Sequence, residues 1–139
     1  WWCVVRLYCP GTLRPIAPVT KPLPRLIELL DRHEVNYRVV HHPVVYTAQE
    51  LAAVLGVKGR QFAKVVALTN GSTFQLAVLP ADHRIDFNAL PGWRLATELE
   101  IKDHFPECGV GTVPPFGSLF GVPTLVDAAL PDDAIAFEA

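Results

Sequence analysis

The sequence predicts an α+β domain, a mixed β-sheet accompanied by a few short helices. Three observations lead there. Two β-rich runs, residues 62–69 and 73–79, flank Asn70-Gly71-Ser72, a strong hairpin signal because Asn and Gly both tolerate positive φ. Two capping boxes, Thr47-Ala48-Gln49-Glu50 and Thr97-Glu98-Leu99-Glu100, open short helices on either side of that hairpin. Thirteen prolines and nine glycines in 139 residues are more than a helix bundle would carry.

Taken in order, the body of the chain starts at Pro24. Leu26, Ile27, Leu29 and Leu30 recur at helix spacing, with Arg25, Glu28, Asp31 and Arg32 on the opposite side. Residues 37–41 (YRVVH) read as a strand closed by Pro43. The helix opened by Thr47 runs to Leu55, and Gly56 stops it. After the hairpin come a turn or short helix over 86–90, a strand near 93–96 and a helix from Thr97 to about His104. A glycine- and proline-dense loop, GVGTVPPFGSLFGVP, follows Cys108, and strands at 124–126 and 134–137 complete the sheet. No internal repeat is present. Residues 1–22 carry four prolines between Pro10 and Pro22 and no useful periodicity, and are expected to form a disordered or non-native extension ahead of a single domain over 23–139.

Composition excludes several classes. Half the residues are apolar and 19% are charged, which is incompatible with a disordered chain. A chain of this length buries roughly two-thirds of its unfolded surface and needs no disulfide or metal staple. No apolar run approaches the ~20 residues of a membrane-spanning helix, and the start lacks the basic and apolar regions of a signal peptide. Cys3, Cys9 and Cys108 are odd in number and form no Cys-x-x-Cys pair, which fits a reduced, cytoplasmic protein. Their spacing supplies no zinc ligand set, and His41 and His42, as strand neighbours, point to opposite faces; no metal site and no cofactor are expected. Net charge is −2, but residues 1–64 hold nine Lys/Arg against four Asp/Glu and residues 65–139 three against ten. That asymmetry marks either a pair of solvated faces or a local anion-binding face, and disfavours binding of duplex DNA by charge alone.

Two features carry chemistry. On an extended 62–69 strand, Lys64 shares a face with Phe62, Val66 and Leu68. An ammonium in that row either sits at the mouth of a cavity or is paired, unless it is an edge lysine whose stem snorkels to water. The second feature is the loop 109–123. Its glycines at 109, 111, 117 and 121 admit positive φ and close backbone approach, and Pro114 and Pro115 stiffen it. The amides of Gly111, Thr112 and Val113, flanking Phe116 and Gly117, are then free to meet a carbonyl oxygen, an oxyanion or a phosphate, if the loop is more than a rigid surface turn. Nucleophilic catalysis has little support: Cys108 has no histidine nearby except His104, and Ser72 and Ser118 lack a Gly-x-Ser-x-Gly elbow. The segment TAQELAAVLGVKGRQFAKVVAL also has the outline of a helix-turn-helix carrying Lys58, Arg60, Gln61 and Lys64, but VVALT followed by Asn-Gly reads as strand and hairpin.

Taken together, the capped helix TAQELAAVLGV, the strand FAKVVAL, the run LAVLPADHRIDFNAL and the loop GVGTVPPFGSLFGVPTLVD resemble the YbaK-like aminoacyl-tRNA deacylase family, which includes the editing domain of bacterial prolyl-tRNA synthetases. The resemblance spans about residues 24–139 and implies a partly barrel-like sheet. It also implies hydrolysis of the ester joining a wrong amino acid to the tRNA 3′ end, with no cofactor and water as nucleophile. The family lysine falls on Lys64 and the family Gly-x-x-x-Pro loop on Gly111 to Pro115. Lys64 would hold the terminal adenosine or its phosphate, and the loop amides, with Phe116 and Gly117, would orient the aminoacyl ester. Lys58 and Arg60 would extend the phosphate track. The implied partners are a mischarged tRNA and an aminoacyl-tRNA synthetase, not a membrane. The alternative is a non-catalytic aminoacyl-tRNA or nucleotide-binding module of the same fold. Members of the family continue past the strand that ends this chain with a glycine-rich motif and a further helix-strand region, so the resemblance implies a domain cut short at its C-terminal end.

Overall fold

A computed structural model describes residues 2–5 and 22–139. The elements follow the order β1 (Trp2–Val5), α1 (Pro24–Arg32), β2 (Arg38–His41), α2 (Ala48–Val54), β3 (Ala63–Thr69), β4 (Phe74–Pro80), β5 (Arg94–Leu95), α3 (Glu98–His104), β6 (Thr124–Val126) and β7 (Ala136–Glu138), with short 3-10 turns at Gly59–Gln61, Phe87–Ala89 and Gly117–Phe120. This is the expected mixed α+β arrangement. The four-stranded sheet runs β5-β3-β4-β6 and is mixed because β6 lies parallel to β4. A second sheet, β2-β1-β7, meets the first through a parallel bridge between Phe62 and Ala136. Neither closes into a barrel.

The central hairpin pairs Ala63 with Pro80 through to Thr69 with Phe74. Its turn is built differently from the simplest Asn-Gly expectation. Gly71 alone takes positive φ (+91°), while the Asn70 carboxamide oxygen accepts from the amides of Ser72 (2.9 Å) and Thr73 (2.8 Å). A side chain has thus taken the place of a second left-handed residue, and Thr69 Oγ1 closes the turn by donating to the Thr73 carbonyl at 2.9 Å.

Both capping boxes form: Thr47 and Thr97 each accept from the amide three residues on, and Glu50 and Glu100 reach back to the cap amides. At the end of α2 the Gly56 amide bonds to Ala53 O and the Val57 amide to Ala52 O, a Schellman closure with Gly56 at φ +67°. The segment after α2 is a 3-10 turn followed by β3, so no recognition helix exists and the helix-turn-helix outline is not realised. Trp2–Val5 pairs with both β2 and β7, so a strand lies within the segment expected to be a disordered extension. The remainder of the expected extension, residue 1 and residues 6–21, lies outside the described residues.

The core has three connected parts. Leu51 and Ala52 of α2 pack on Phe62, Ala81 and Ala136. Leu26 and Leu30 of α1 pack on Ala63, Val78, Leu130 and Phe137. Ala67, Leu76 and Val113 surround Phe105, which is edge-on to Phe120 at 5.1 Å. Arg25 fastens α1 to the glycine–proline loop, donating to Leu119 O at 2.7 Å, pairing with Glu107 and lying over the Phe120 ring.

Two tests follow from this architecture. The Glu100 carboxylate takes a bidentate pair from Arg94 (2.7 and 2.9 Å) as well as the Thr97 cap, and these hold it well below the usual carboxylate range, at about 2. A depressed carboxylate contributes stability above its unfolded pKa and loses it as pH falls through the folded value. Glu100→Gln should therefore be less stable than the parent at pH 6, with the deficit fading between about pH 4.5 and 2, as read from urea midpoints. Gly117 is packed so closely that an added Cβ would meet Val122 O and Thr124 Oγ1. Gly117→Ala should cost ~1–3 kcal/mol in the same measurement.

Candidate functional site

The opening residues of β3 line a cavity of about 510 Å³ whose wall includes Val45, Tyr46, Lys64, Glu98, Gly111 and Glu138. Lys64 reaches it from near the start of β3, beside Phe62, Ala63 and Val65 on the same cavity. Its Nζ donates to Ala81 O at 3.2 Å and to His83 O. An ammonium has three donors, so one remains for a ligand. Burial, and then the nearby Arg84 guanidinium, push the Lys64 pKa down, against a smaller opposite pull from Asp82.

The carbonyl that holds Lys64 is itself braced. His83 Nδ1 donates to Asp127 Oδ2 at 2.8 Å, and the Asp127 amide donates to Val78 O at 2.8 Å, tying residues 81–84 to the end of β6. The Ala129 amide and then His83 lower the Asp127 pKa. Lys64 is therefore positioned by a chain of contacts that runs through three segments of the fold.

Gly111 arrives at the same wall from a turn 47 residues later. The Thr112 amide donates to Gly109 O at 3.1 Å, and Gly111 has φ +89°, the third position of a type II turn, which demands glycine. This corrects part of the expectation for the loop: the Thr112 amide closes the turn, and its hydroxyl also bonds Gly109 O at 3.0 Å. The Gly111 and Val113 amides make no hydrogen bond among the described residues.

The other residues singled out from sequence fall elsewhere. The Val113 side chain is in the core around Phe105, and Pro114 and Pro115 are buried behind it. Phe116 lies edge-on to Phe137 (5.7 Å) and lines a second cavity, about 450 Å³ and mostly apolar, between α1 and residues 131–137. The Gly117 amide donates to Thr124 Oγ1 at 2.9 Å, a structural contact. Lys58 and Arg60 are exposed at the 3-10 turn leading into β3 and do not line the Lys64 cavity.

Cys108 is half-buried, and burial raises its thiol pKa, which disfavours the thiolate a nucleophile needs. His104 stacks on Phe74 at 4.2 Å instead of pairing with it. Among the described residues no three His, Cys, Asp or Glu side chains are grouped as metal ligands, and no helix is long and apolar enough to cross a membrane.

Sequence reasoning missed the acidic side of the cavity. Glu98 comes from the first turn of α3, and Glu138 from β7. Burial raises the Glu138 pKa. Behind it lies His42, 2% exposed, with Nε2 at 3.9 Å from Glu138 Oε1. The tolerance of strand ends for Glu gave no local signal.

Solved structures share this arrangement of elements. A crystallised hypothetical protein, APE2540, superposes with a TM-score of 0.62 at 23% identity, covering 81% of this chain and 86% of its own. A candidate trans-editing enzyme for prolyl tRNA synthetase superposes with a TM-score of 0.61 at 22% identity, covering 81% of this chain and 82% of its own. Identities this low speak for the fold alone. None of the curated proteins is significantly similar in sequence. The family described as the aminoacyl-tRNA editing domain matches residues 42–139, a span that contains Lys64, the Gly111 turn and Glu138. The chain belongs to the aminoacyl-tRNA editing domain family.

Proposed function

We propose that this domain is a trans-editing hydrolase that deacylates mischarged tRNA, with the Lys64 cavity receiving the aminoacylated 3′ end. The observation that carries this reading is the meeting of Lys64 and Gly111, 47 positions apart in sequence, on one cavity of about 510 Å³. A terminal adenosine ester presents a phosphodiester, a carbonyl oxygen and an amino acid within a few bonds. A fixed ammonium with one spare donor suits the phosphate or the carbonyl, and a preorganised backbone amide suits the oxygen that becomes negative. Family membership supports the substrate class.

In the reaction, water adds to the ester carbonyl carbon, and its proton passes to a nearby base, for which a ribose hydroxyl is available. The carbonyl electron pair moves onto oxygen, facing Lys64 and the Gly111 amide. Collapse breaks the bond to the ribose oxygen, which takes up the proton, releasing free amino acid and uncharged tRNA. Lys64 and Gly111 bind and orient; Thr112 keeps the turn in shape; Val113, Pro115, Phe116 and Gly117 hold the loop on the core. Lys58 and Arg60, exposed ahead of β3, serve the acceptor stem by screening phosphates at a distance. The cytoplasm, where aminoacyl-tRNA is used, is the matching compartment, and a synthetase that makes the error is the matching partner.

The test is hydrolysis of a panel of mischarged tRNAs, starting with alanyl- and cysteinyl-tRNA(Pro), by the parent chain and by Lys64→Ala. Loss of one aimed donor costs roughly 10²–10³-fold in rate, so Lys64→Ala should retain its circular dichroism and lose at least about 100-fold in kcat/KM. Tight binding without turnover by a folded parent would instead identify a non-catalytic aminoacyl-tRNA-binding module. Unchanged turnover in Lys64→Ala would remove Lys64 from the site.

A further inference from the structure

A third cavity, of about 510 Å³, lies beside the turn of the central hairpin, and the editing reading leaves it unused. Phe74, Gln75, Trp93, His104 and Phe120 line it. It shares no lining residue with the Lys64 cavity. Lys64 pairs with Leu79, and the strand rise of ~3.4 Å per residue puts Phe74 about 17 Å from that point along β4. No Asp, Glu, Lys or Arg is among its described lining residues, so the cavity suits an uncharged group.

Its aromatic wall is held from behind. His104 stacks on Phe74 at 4.2 Å with the ring planes 14° apart. Phe105, fully buried, meets Phe74, His104 and Phe120 edge-on at 6.2, 4.9 and 5.1 Å, which fixes all three rings. Trp93, the residue before β5, is half-buried, and its indole makes no hydrogen bond or ring contact among the described residues.

Gln75 is the observation that points to a ligand. It is the one polar side chain of β4, it is 7% exposed, and its partner across the hairpin is the fully buried Leu68. Packing alone would be served as well by leucine, and a buried carboxamide is costly unless its donor and acceptor are matched. No described residue bonds the Gln75 carboxamide, yet neither of its polar atoms is sealed off from open space.

We infer that this cavity is a second binding site, for a nucleobase, with the ring on the aromatic wall and one edge paired to Gln75. A carboxamide offers a donor and an acceptor side by side, the complement of a base edge, and a base has flat faces that stack on rings. The sugar and phosphate stay outside, so the cavity needs no charge to hold them. A free nucleotide and an unpaired stretch of RNA supply the same chemistry. The inference stands apart from the editing reading, since neither cavity uses a residue of the other.

The test is titration of the ¹⁵N-labelled parent chain with the four ribonucleoside 5′-monophosphates, and with ribose 5-phosphate as the probe lacking a base. At least one nucleotide should move the Gln75 carboxamide and Trp93 indole signals to saturation by millimolar concentration, and ribose 5-phosphate should not. Gln75→Leu and Trp93→Ala should each weaken that binding roughly tenfold. A single-stranded RNA pentamer that shifts the same signals and binds more tightly than any mononucleotide identifies RNA as the source; one that binds no more tightly identifies the free nucleotide. Both results support the site. Equal shifts by ribose 5-phosphate, unmoved Gln75 and Trp93 signals with every probe, or larger shifts with N-acetyl-L-tyrosinamide than with any nucleotide would overturn it. Nucleotide shifts confined to Lys64 and Gly111 would overturn it too, and leave the editing reading standing. If either variant fails to fold, the parent's own shifts still decide the matter.

Discussion

The antiparallel register between β3 and β4 is the constraint on which the rest depends. Seven consecutive pairs, from Ala63↔Pro80 to Thr69↔Phe74, fix which side of the sheet each β3 residue faces. A slip of one position would turn Lys64 to the opposite face of the sheet. The register also sets where β4 ends. Because Pro80 closes the strand opposite Ala63, the chain turns immediately afterwards, and the carbonyls of Ala81 and His83 fall within reach of the Lys64 ammonium. Parallel β6 then docks on β4, and its end supplies Asp127 to hold His83. The lysine is thus fixed by backbone geometry, with side chains only bracing it.

What local sequence could reveal was local. The hairpin, both capping boxes and the Gly56 stop were legible because each is decided by residues within four positions of one another, through hydrogen bonds a short peptide already makes. Lys64 was legible as a charge in an apolar row, and Gly111 as a glycine before a proline pair. The acidic side of the cavity was not, since Glu98 opens α3 and Glu138 lies on β7, and only the folded chain brings both to one cavity. The strand Trp2–Val5 was obscured for the same reason: it is ordered by partners at 38–41 and 136–138 and carries no turn signal of its own. Val113 and Phe116 were placed at the site by their position in the loop, but their apolar side chains went to the core and to the α1 cavity, as burial requires.

These facts give the loop 109–123 a divided role. Gly111 lies on the wall of the Lys64 cavity, and Val113, Phe116 and Phe120 anchor the loop to two separate parts of the core. Rigidity follows from that double anchoring, and rigidity is what an amide needs in order to favour a developing oxyanion over the water it displaces. The α1 cavity, although more apolar, lacks a fixed cation and has Asp132 and Asp133 at its rim, a poor match for a phosphodiester. Charge therefore separates the two cavities where volume does not.

That separation can be measured directly. In a ¹⁵N-labelled sample titrated with 3′-deoxy-3′-(L-alanylamino)adenosine, the amide shifts of Tyr46, Lys64, Val65 and Gly111 should move together and saturate, while those of Leu29, His33 and Ser118 stay fixed. Saturating shifts confined to Leu29, His33, Ser118 and Ile135 would place the ligand against α1 and contradict the assignment of the editing site to Lys64.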